Sequence, residues 1–175
     1  MTAVGGMIDA LGLVMPIHRH AALAPLSRDH HIALQLAAAL REGGSRHLRS
    51  RLPPEPLALA AYVRRLFELE LEPHFAAEEL ELMVAVDGLD RDLDTLCAEL
   101  RRDHDRMRRL IMELSRTADA TAIADILDRF GTLLEAHVRV EERTLFTRVQ
   151  ELLDAPALAK IAPRLAQHLH VHDAG

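Results

Sequence analysis

The sequence predicts an all-α protein, an antiparallel up-down four-helix bundle with a short extra C-terminal helix and an N-terminal extension. Composition is the first indication, because 49% of the 175 residues are apolar but only 3% are aromatic and none is Trp. The core must therefore come from small and aliphatic side chains, which favours helices over strands. Four long segments with helical periodicity, joined by short connections, are the second indication and are typical of a bundle.

The first bundle helix is expected at about residues 27–41. Ser27 is a plausible N-cap, and the pair Gly43-Gly44 is a usual way to end a helix. Residues 45–56 contain several arginines and prolines, and we expect them to form a loop.

The second and third helices are expected at about 57–86 and 90–115. Pro73 falls inside the second one, where it removes a backbone hydrogen bond and should kink the helix near Leu69. Asp90 is a plausible cap for the third helix.

The fourth helix is expected to begin at a cap formed by Asp119 or Thr121 and to end near residue 153. Pro156 suits the first turn of a last short helix. We expect Pro163 to break that last helix, because proline disrupts helix interiors.

Three segments are expected: an N-terminal extension at 1–25, the bundle at 26–153, and a short C-terminal helix with a His-containing tail at 154–175. No stretch reaches the ~18 apolar residues of a membrane span. The apolar run at 4–17 is short and lacks a preceding basic region, so a signal peptide is not expected. We therefore expect a cytoplasmic protein with no membrane partner.

Charge and cysteine content exclude other classes of function. The formal net charge of −6 argues against a nucleic-acid-binding surface. The single cysteine, Cys97, excludes an internal disulfide and a thiolate zinc site, and we expect it to be a small buried core residue.

The most informative feature is a duplicated pattern, Phe-x3-Leu-x2-His-x3-Glu-Glu-x2-Leu. A shorter pattern, Leu-x-Arg-Asp-His, precedes each copy. The longer pattern comprises Phe67, Leu71, His74, Glu78, Glu79 and Leu82 in its first copy, and Phe130, Leu134, His137, Glu141, Glu142 and Leu145 in its second. The shorter one ends at His30 and at His104.

The spacing of these residues predicts a metal site. Offsets of 3, 4 and 8 bring residues to one face of a helix, so the apolar face of each copy also carries a histidine and a glutamate. Burying such groups unpaired costs several kcal/mol each, and a metal ion can compensate. Each of two ions would take two imidazoles, while two glutamates could bridge the ions. Iron, manganese and zinc all suit these donors, and an open position would remain for a small ligand.

The order His…His-x3-Glu…His…His-x3-Glu resembles the hemerythrin-like (HHE cation-binding) domain family. Flanking segments such as "PHFAAEEL" and "HVRVEERTLF" are similar to its bacterial single-domain members. The resemblance covers roughly residues 26–153 and implies a bridged non-haem centre of two iron ions. By position, the implied ligands are His30, His74, Glu78, His104, His137 and Glu141.

The same resemblance also implies a function. Oxygen-carrier hemerythrins have a fifth histidine and an Asp in place of one Glu, so this chain resembles instead the group linked to sensing O2, NO or peroxide and to repair of iron centres. The repair proteins carry an additional N-terminal cysteine-bearing domain, which this sequence lacks. We expect a binding protein for a small diatomic or peroxide ligand that acts as a monomer or homodimer.

The sequence leaves alternatives open: a di-iron oxidase, peroxidase or NO-detoxifying enzyme, or an iron donor for repair. Ferritin-like oxidases build their centre from Glu-x2-His. Here Leu71, Arg101 and Leu134 stand three residues before histidines, which excludes that class.

Two further groups of polar residues lie near the proposed site in the sequence. Glu79 and Glu142 are offset from the core face, and their duplication leaves open whether they orient ligands or face solvent. The arginine-rich face of the third helix, which includes Arg106 and Arg108, is expected to be solvent-exposed.

Overall fold

The structure is a computed structural model that describes residues 19–169, and within this range all regular structure is helical. Most of the expected N-terminal extension and the end of the His-containing tail lie outside the described residues. The helices, in chain order, are α1 (Ala24–Leu40), α2 (Arg46–Arg49), α3 (residues 56–85), α4 (Arg91–Leu114), α5 (residues 120–152) and α6 (Ala155–Leu169). The predicted bundle, built from α1, α3, α4 and α5, is confirmed together with the additional C-terminal helix.

The helix α3 contains two short π-helical turns, and α5 contains one. Those turns are Phe67–Leu71 and Glu78–Leu82 in α3 and Glu141–Leu145 in α5. The turn at Phe67–Leu71 contains Leu69, whose carbonyl cannot receive an amide from Pro73, so the helix departs from α geometry where the sequence predicted a kink. The other two turns begin at equivalent positions of the two copies of the repeat.

Side-chain caps begin α4 and α5 as expected. Asp90 accepts a hydrogen bond from the amide of Leu93 at 2.8 Å, and Asp119 accepts one from the amide of Ala122 at 2.8 Å. These bonds satisfy amides that the first helical turn leaves without partners.

Three local predictions were wrong. The helix α1 begins at Ala24 rather than at Ser27, because Pro25 is accepted in its first turn and the Ser27 hydroxyl donates to Glu142 instead. The short helix α2 interrupts the predicted loop. Pro163 does not break α6, which stays continuous because its buried side chains, Leu158, Ile161 and Leu165, hold it against the bundle.

The buried apolar side chains form two clusters at the two ends of the bundle. On α1, for example, Ala33 belongs to one cluster and Leu26 to the other, with His30 between them. Cys97 is buried in the second cluster, as expected. Within residues 19–169, no helix is long and apolar enough to cross a membrane.

Candidate metal centre

The bundle brings together the six residues that the sequence analysis singled out. All six are buried, with exposed fractions between 0% and 2%. Each bundle helix contributes at least one: His30 from α1, His74 and Glu78 from α3, His104 from α4, and His137 and Glu141 from α5.

The six side chains form two overlapping groups that could each hold a metal ion. One group consists of His30, His74, Glu78 and Glu141, and the other consists of His104 and His137 with the same two glutamates. In each group the potential ligand atoms lie within 4.8 Å of one another. Both carboxylates are therefore shared by both groups.

Glu78 offers one oxygen to each pair of histidines. Its Oε1 lies 3.3 Å from Nε2 of His74 and 3.6 Å from Nε2 of His30. Its Oε2 lies 3.5 Å from Nε2 of His104. This is the orientation that a bridging carboxylate requires.

Glu141 is oriented in the same way from the opposite half of the bundle. Its Oε2 lies 3.2 Å from Nε2 of His30, and its Oε1 lies 3.1 Å from Nε2 of His137. The two glutamates therefore face the same space between the two histidine pairs.

The unsatisfied polar atoms of this cluster fit a pair of metal ions. All four carboxylate oxygens of Glu78 and Glu141 are buried and lack a hydrogen-bond donor among the described residues. Buried carboxylates without donors are costly, and cations relieve that cost. Imidazole nitrogens with carboxylate oxygens suit iron, manganese or zinc.

The histidine nitrogens that point away from the cluster meet other carboxylates. Nδ1 of His30 lies 2.8 Å from Oε1 of Glu142, and Nδ1 of His104 lies 2.7 Å from Oε1 of Glu79. An ionised carboxylate only accepts hydrogen bonds, so Nδ1–H must donate, which leaves the Nε2 lone pair facing the cluster. In each case the carboxylate and the histidine come from different copies of the repeat.

The aspartates of the two Asp-His motifs face the remaining histidines. Oδ2 of Asp29 lies 3.2 Å from Nδ1 of His74, within hydrogen-bond reach. Oδ2 of Asp103 lies 3.9 Å from Nδ1 of His137, close enough for attraction between charges. Sequence reasoning gave these aspartates no role, although their duplication was the available signal.

These contacts shift pKa values in the metal-free protein. Burial raises the pKa of Glu142, but hydrogen bonds from His30 and Ser27 and the charges of His30 and Arg19 outweigh it and lower the pKa to about 2. Burial lowers the pKa of His137, but the charges of Glu141 and Glu78 and polar contacts with Asp103 and Glu141 together outweigh it and raise the pKa to about 10. A metal ion must therefore displace protons from such imidazoles in order to bind.

The prediction of a solvent-exposed arginine face on α4 holds for Arg102, Arg106 and Arg109, whereas Arg101 and Arg108 are only partly exposed. The Arg106 side chain is 60% exposed, but that of Arg108 is only 28% exposed because it pairs with Glu72 and Glu79. Arg108 thus contacts a carboxylate that itself holds a histidine of the cluster.

A small cavity of about 10 Å³ adjoins the cluster. A cavity of this size is near the lower limit for holding one water molecule, so only very small molecules fit without movement of side chains. Its polar lining includes His30, His74, His137 and Glu141, and its apolar lining includes Leu71 and Leu134.

Comparison with known families agrees with this geometry. The model of the hemerythrin HHE cation binding domain matches residues 21–149 and, in a second match, residues 95–175. Together the matches span residues 21–175, and the second begins before the second copy of the repeat. No curated protein and no solved structure matches the chain.

Proposed function

Because the chain belongs to the hemerythrin HHE cation-binding family, we propose that it is a non-haem di-iron protein that binds a small oxidant at an open iron position. The oxidant would be O2, NO or peroxide, and the role would be sensing, storage or protection. The observation that carries the proposal is the pair of buried carboxylates, each of which offers one oxygen to each histidine pair.

The proposed ligand set rests on the atoms that face the cluster. His30 and His74 would bind one ion, His104 and His137 the other, and Glu78 and Glu141 would bridge the pair. Manganese or zinc could use the same donors. The family membership and the capacity of these residues to hold metal support a metal cofactor, and iron is the finer proposal.

The chain's own residues would prepare the site for its ligand. Iron held by the histidines and glutamates of the cluster would supply redox chemistry towards a small oxidant. Glu79 and Glu142 keep a proton on Nδ1 of two histidines, which leaves their Nε2 atoms free to bind. Leu71 and Leu134 narrow the cavity and exclude bulky reductants.

Metal analysis together with visible spectroscopy of protein purified from its own host tests the proposal. We expect two iron ions per chain, an absorption change when azide binds the oxidised centre, and another when NO binds the reduced one. Steady-state consumption of peroxide or NO well above that of free iron would instead favour a di-iron enzyme. A spectrum that neither azide nor NO alters would show a closed, structural centre.

The cavity offers a more specific test of small-ligand access. Leu134→Ala should widen it and speed the loss of a bound oxygen species. Leu133→Ala is the matched control, because Leu133 packs against the same core without lining the cavity. Equal rates in both variants would contradict the proposed access route.

A further inference from the structure

Arg19 contacts two groups that in turn contact His30 of the cluster: a carboxylate and an aromatic ring. Its Nη2 donates to Oε2 of Glu142 at 2.6 Å, and Glu142 in turn holds Nδ1 of His30. Its guanidinium also lies 4.9 Å from the ring centroid of Phe146. The Phe146 ring stacks on His30 with centroids 5.2 Å apart and an interplanar angle of 8°. One cation therefore contacts both groups that hold this imidazole.

Arg108 makes the same pair of contacts on the other side of the cluster. Its Nη1 donates to Oε1 of Glu79 at 3.0 Å, and that oxygen lies 2.7 Å from Nδ1 of His104. Its guanidinium lies 5.8 Å from the centroid of Phe75. The Phe75 ring stacks on His104 with centroids 3.9 Å apart and an angle of 13°.

The internal repeat does not account for this likeness. Arg19 precedes α1, whereas Arg108 lies within α4. Phe75 directly follows a histidine of the repeat, and the corresponding residue of the second copy is Val138 rather than Phe146. The two arrangements are thus assembled from non-equivalent positions, so their common geometry needs an explanation other than duplication.

We propose that Arg19 and Arg108 are positioning residues, one for each proposed metal position. Each arginine fixes a carboxylate that holds the imidazole edge and steadies a ring that packs on the imidazole face. Because both the edge and the face of the imidazole are held, the ring keeps one orientation. In that orientation Nε2 of His30 or His104 faces the cluster, as a metal ligand must. This inference rests on the proposed metal centre.

The two arginines differ in what holds them. Arg108 is fixed within the bundle, since it also pairs with Glu72 at 2.9 Å and Asp105 at 3.1 Å. Arg19 lies among the described residues before α1, and through it they contribute to the metal position of His30. Loss of Arg19 should affect His30, and loss of Arg108 should affect His104.

Zinc is the probe for the test, because it suits these donors and is diamagnetic. The full-length variants Arg19→Ala and Arg108→Ala would be titrated with Zn²⁺ against a competing chelator. The Nδ1–H signals of the histidines would be followed by ¹H–¹⁵N NMR in the zinc-loaded proteins. Arg139→Ala is the matched control, since Arg139 is an exposed arginine whose ion pair among residues 19–169 is with Glu135, one turn away on α5.

We expect each alanine variant to weaken the binding of one of the two zinc ions by about tenfold or more, as outer-sphere changes do at other metal sites. Arg19→Ala should shift or broaden the Nδ1–H signal of His30 alone, and Arg108→Ala that of His104 alone. A merely structural arginine would not produce this selectivity. Arg19→Lys and Arg108→Lys should restore part of the affinity, because they keep the charge without the planar fork.

Affinities within about twofold of the Arg139→Ala control, with both Nδ1–H signals unchanged, would overturn the inference. If an alanine variant does not fold, the corresponding glutamine variant, which removes the positive charge, gives the same comparison, and an affinity and Nδ1–H signals equal to those of the wild type would then overturn the inference. Failure of the proposed function is distinct: the wild-type protein itself would not bind two zinc ions.

Discussion

At the scale of single residues, two adjacent glutamates on one helix have different roles. Glu78 has no exposed surface and points into the cluster, whereas its neighbour Glu79 reaches the outer nitrogen of His104. Adjacent residues project about 100° apart on a helix, so the pair can face both sides of the histidine layer. Glu141 and Glu142 divide the tasks in the same way.

This division predicts different losses from different ligand changes. Glu141→Ala should remove more metal than His137→Ala, because a bridging carboxylate serves both ions while an imidazole serves one. Metal content per chain, measured after purification in the same metal-supplemented medium, checks the order. Glu151→Ala, which changes an exposed glutamate on the same helix, should retain both ions. Two ions per chain in both ligand variants would show that the α5 ligands are wrongly assigned.

At the scale of elements, the π turns and the close approach of helices decide where the site residues point. The turns that begin at Glu78 and Glu141 have the same place in α3 and α5. A π turn adds one residue to a helical turn and so rotates the rest of the helix about its axis, and such turns are frequent at functional sites.

Gly131 lies where α5 packs tightly against α1. A Cβ atom placed there would lie 3.0 Å from the carbonyl oxygen of Ala37 and 3.2 Å from Cβ of Leu40. Gly131→Leu should therefore force the helices apart and destabilise the protein by about 1–3 kcal/mol or more, as overpacking does. Thermal unfolding should show a clearly lower Tm. Thr132→Leu, at an exposed neighbour, should stay within about 0.5 kcal/mol of the wild type; an equal loss there would point to a general effect of added bulk.

Pro163 is a second element-scale test, because α6 continues through it. Proline inside a helix removes one hydrogen bond and costs up to about 3 kcal/mol relative to alanine. Pro163→Ala should raise the Tm, since the residue is exposed and loses no packing. Pro156→Ala is the control in the first turn, where proline is already favourable, and it should bring no gain. A lower Tm for Pro163→Ala would mean that the proline shapes the contact of α6 with the bundle.

At the scale of the whole molecule, a polar layer divides the core. The apolar clusters at the two ends meet at buried imidazoles and carboxylates, so the native state depends on how those charges are neutralised. Metal that binds only the folded protein adds RT ln(1 + [L]/Kd) to its stability, about 2.7 kcal/mol at a hundredfold excess over Kd.

The stabilisation by metal should grow as pH rises from about 6 to about 9. In the metal-free protein the pKa of His137 is raised from 6.5 to about 10, so its stabilising protonation is complete below pH 6.5 and is lost as pH rises through about 10. Metal competes with that proton and binds better as pH rises. The Tm difference between metal-loaded and metal-free protein, measured across this range, should therefore increase. A constant or falling difference would indicate that the metal does not displace imidazole protons.

Acid should act on the metal-free protein through a different group. The pKa of Glu142 is lowered from 4.5 to about 2, so its contribution to stability is complete above pH 4.5 and is lost as pH falls towards 2. Glu142→Gln should reduce this acid dependence of the Tm, whereas Glu151→Gln, at an exposed site, should leave it unchanged. An identical acid dependence in both variants would exclude Glu142 as its source.

The sequence by itself determined the helices and the faces on which their histidines and glutamates lie. Helical periodicity is a local property, so the spacing of His74 to Glu78 and of His137 to Glu141 was enough to put each pair on a core-facing stripe. Duplication of the pattern then predicted two matched groups around shared carboxylates. The structure brings those residues together, and their role as ligands stays a prediction.

The tertiary structure alone determined which side chains contact the histidines from outside the cluster. Glu142 holds His30 across 112 residues of chain, and Arg19 reaches Glu142 across 123. Contacts over such separations depend on how whole helices pack, and no local period encodes them. Packing likewise outweighed local preference at Pro163, where burial of three apolar side chains keeps α6 continuous, and at Ser27, whose hydroxyl bonds to a distant carboxylate rather than to its own helix.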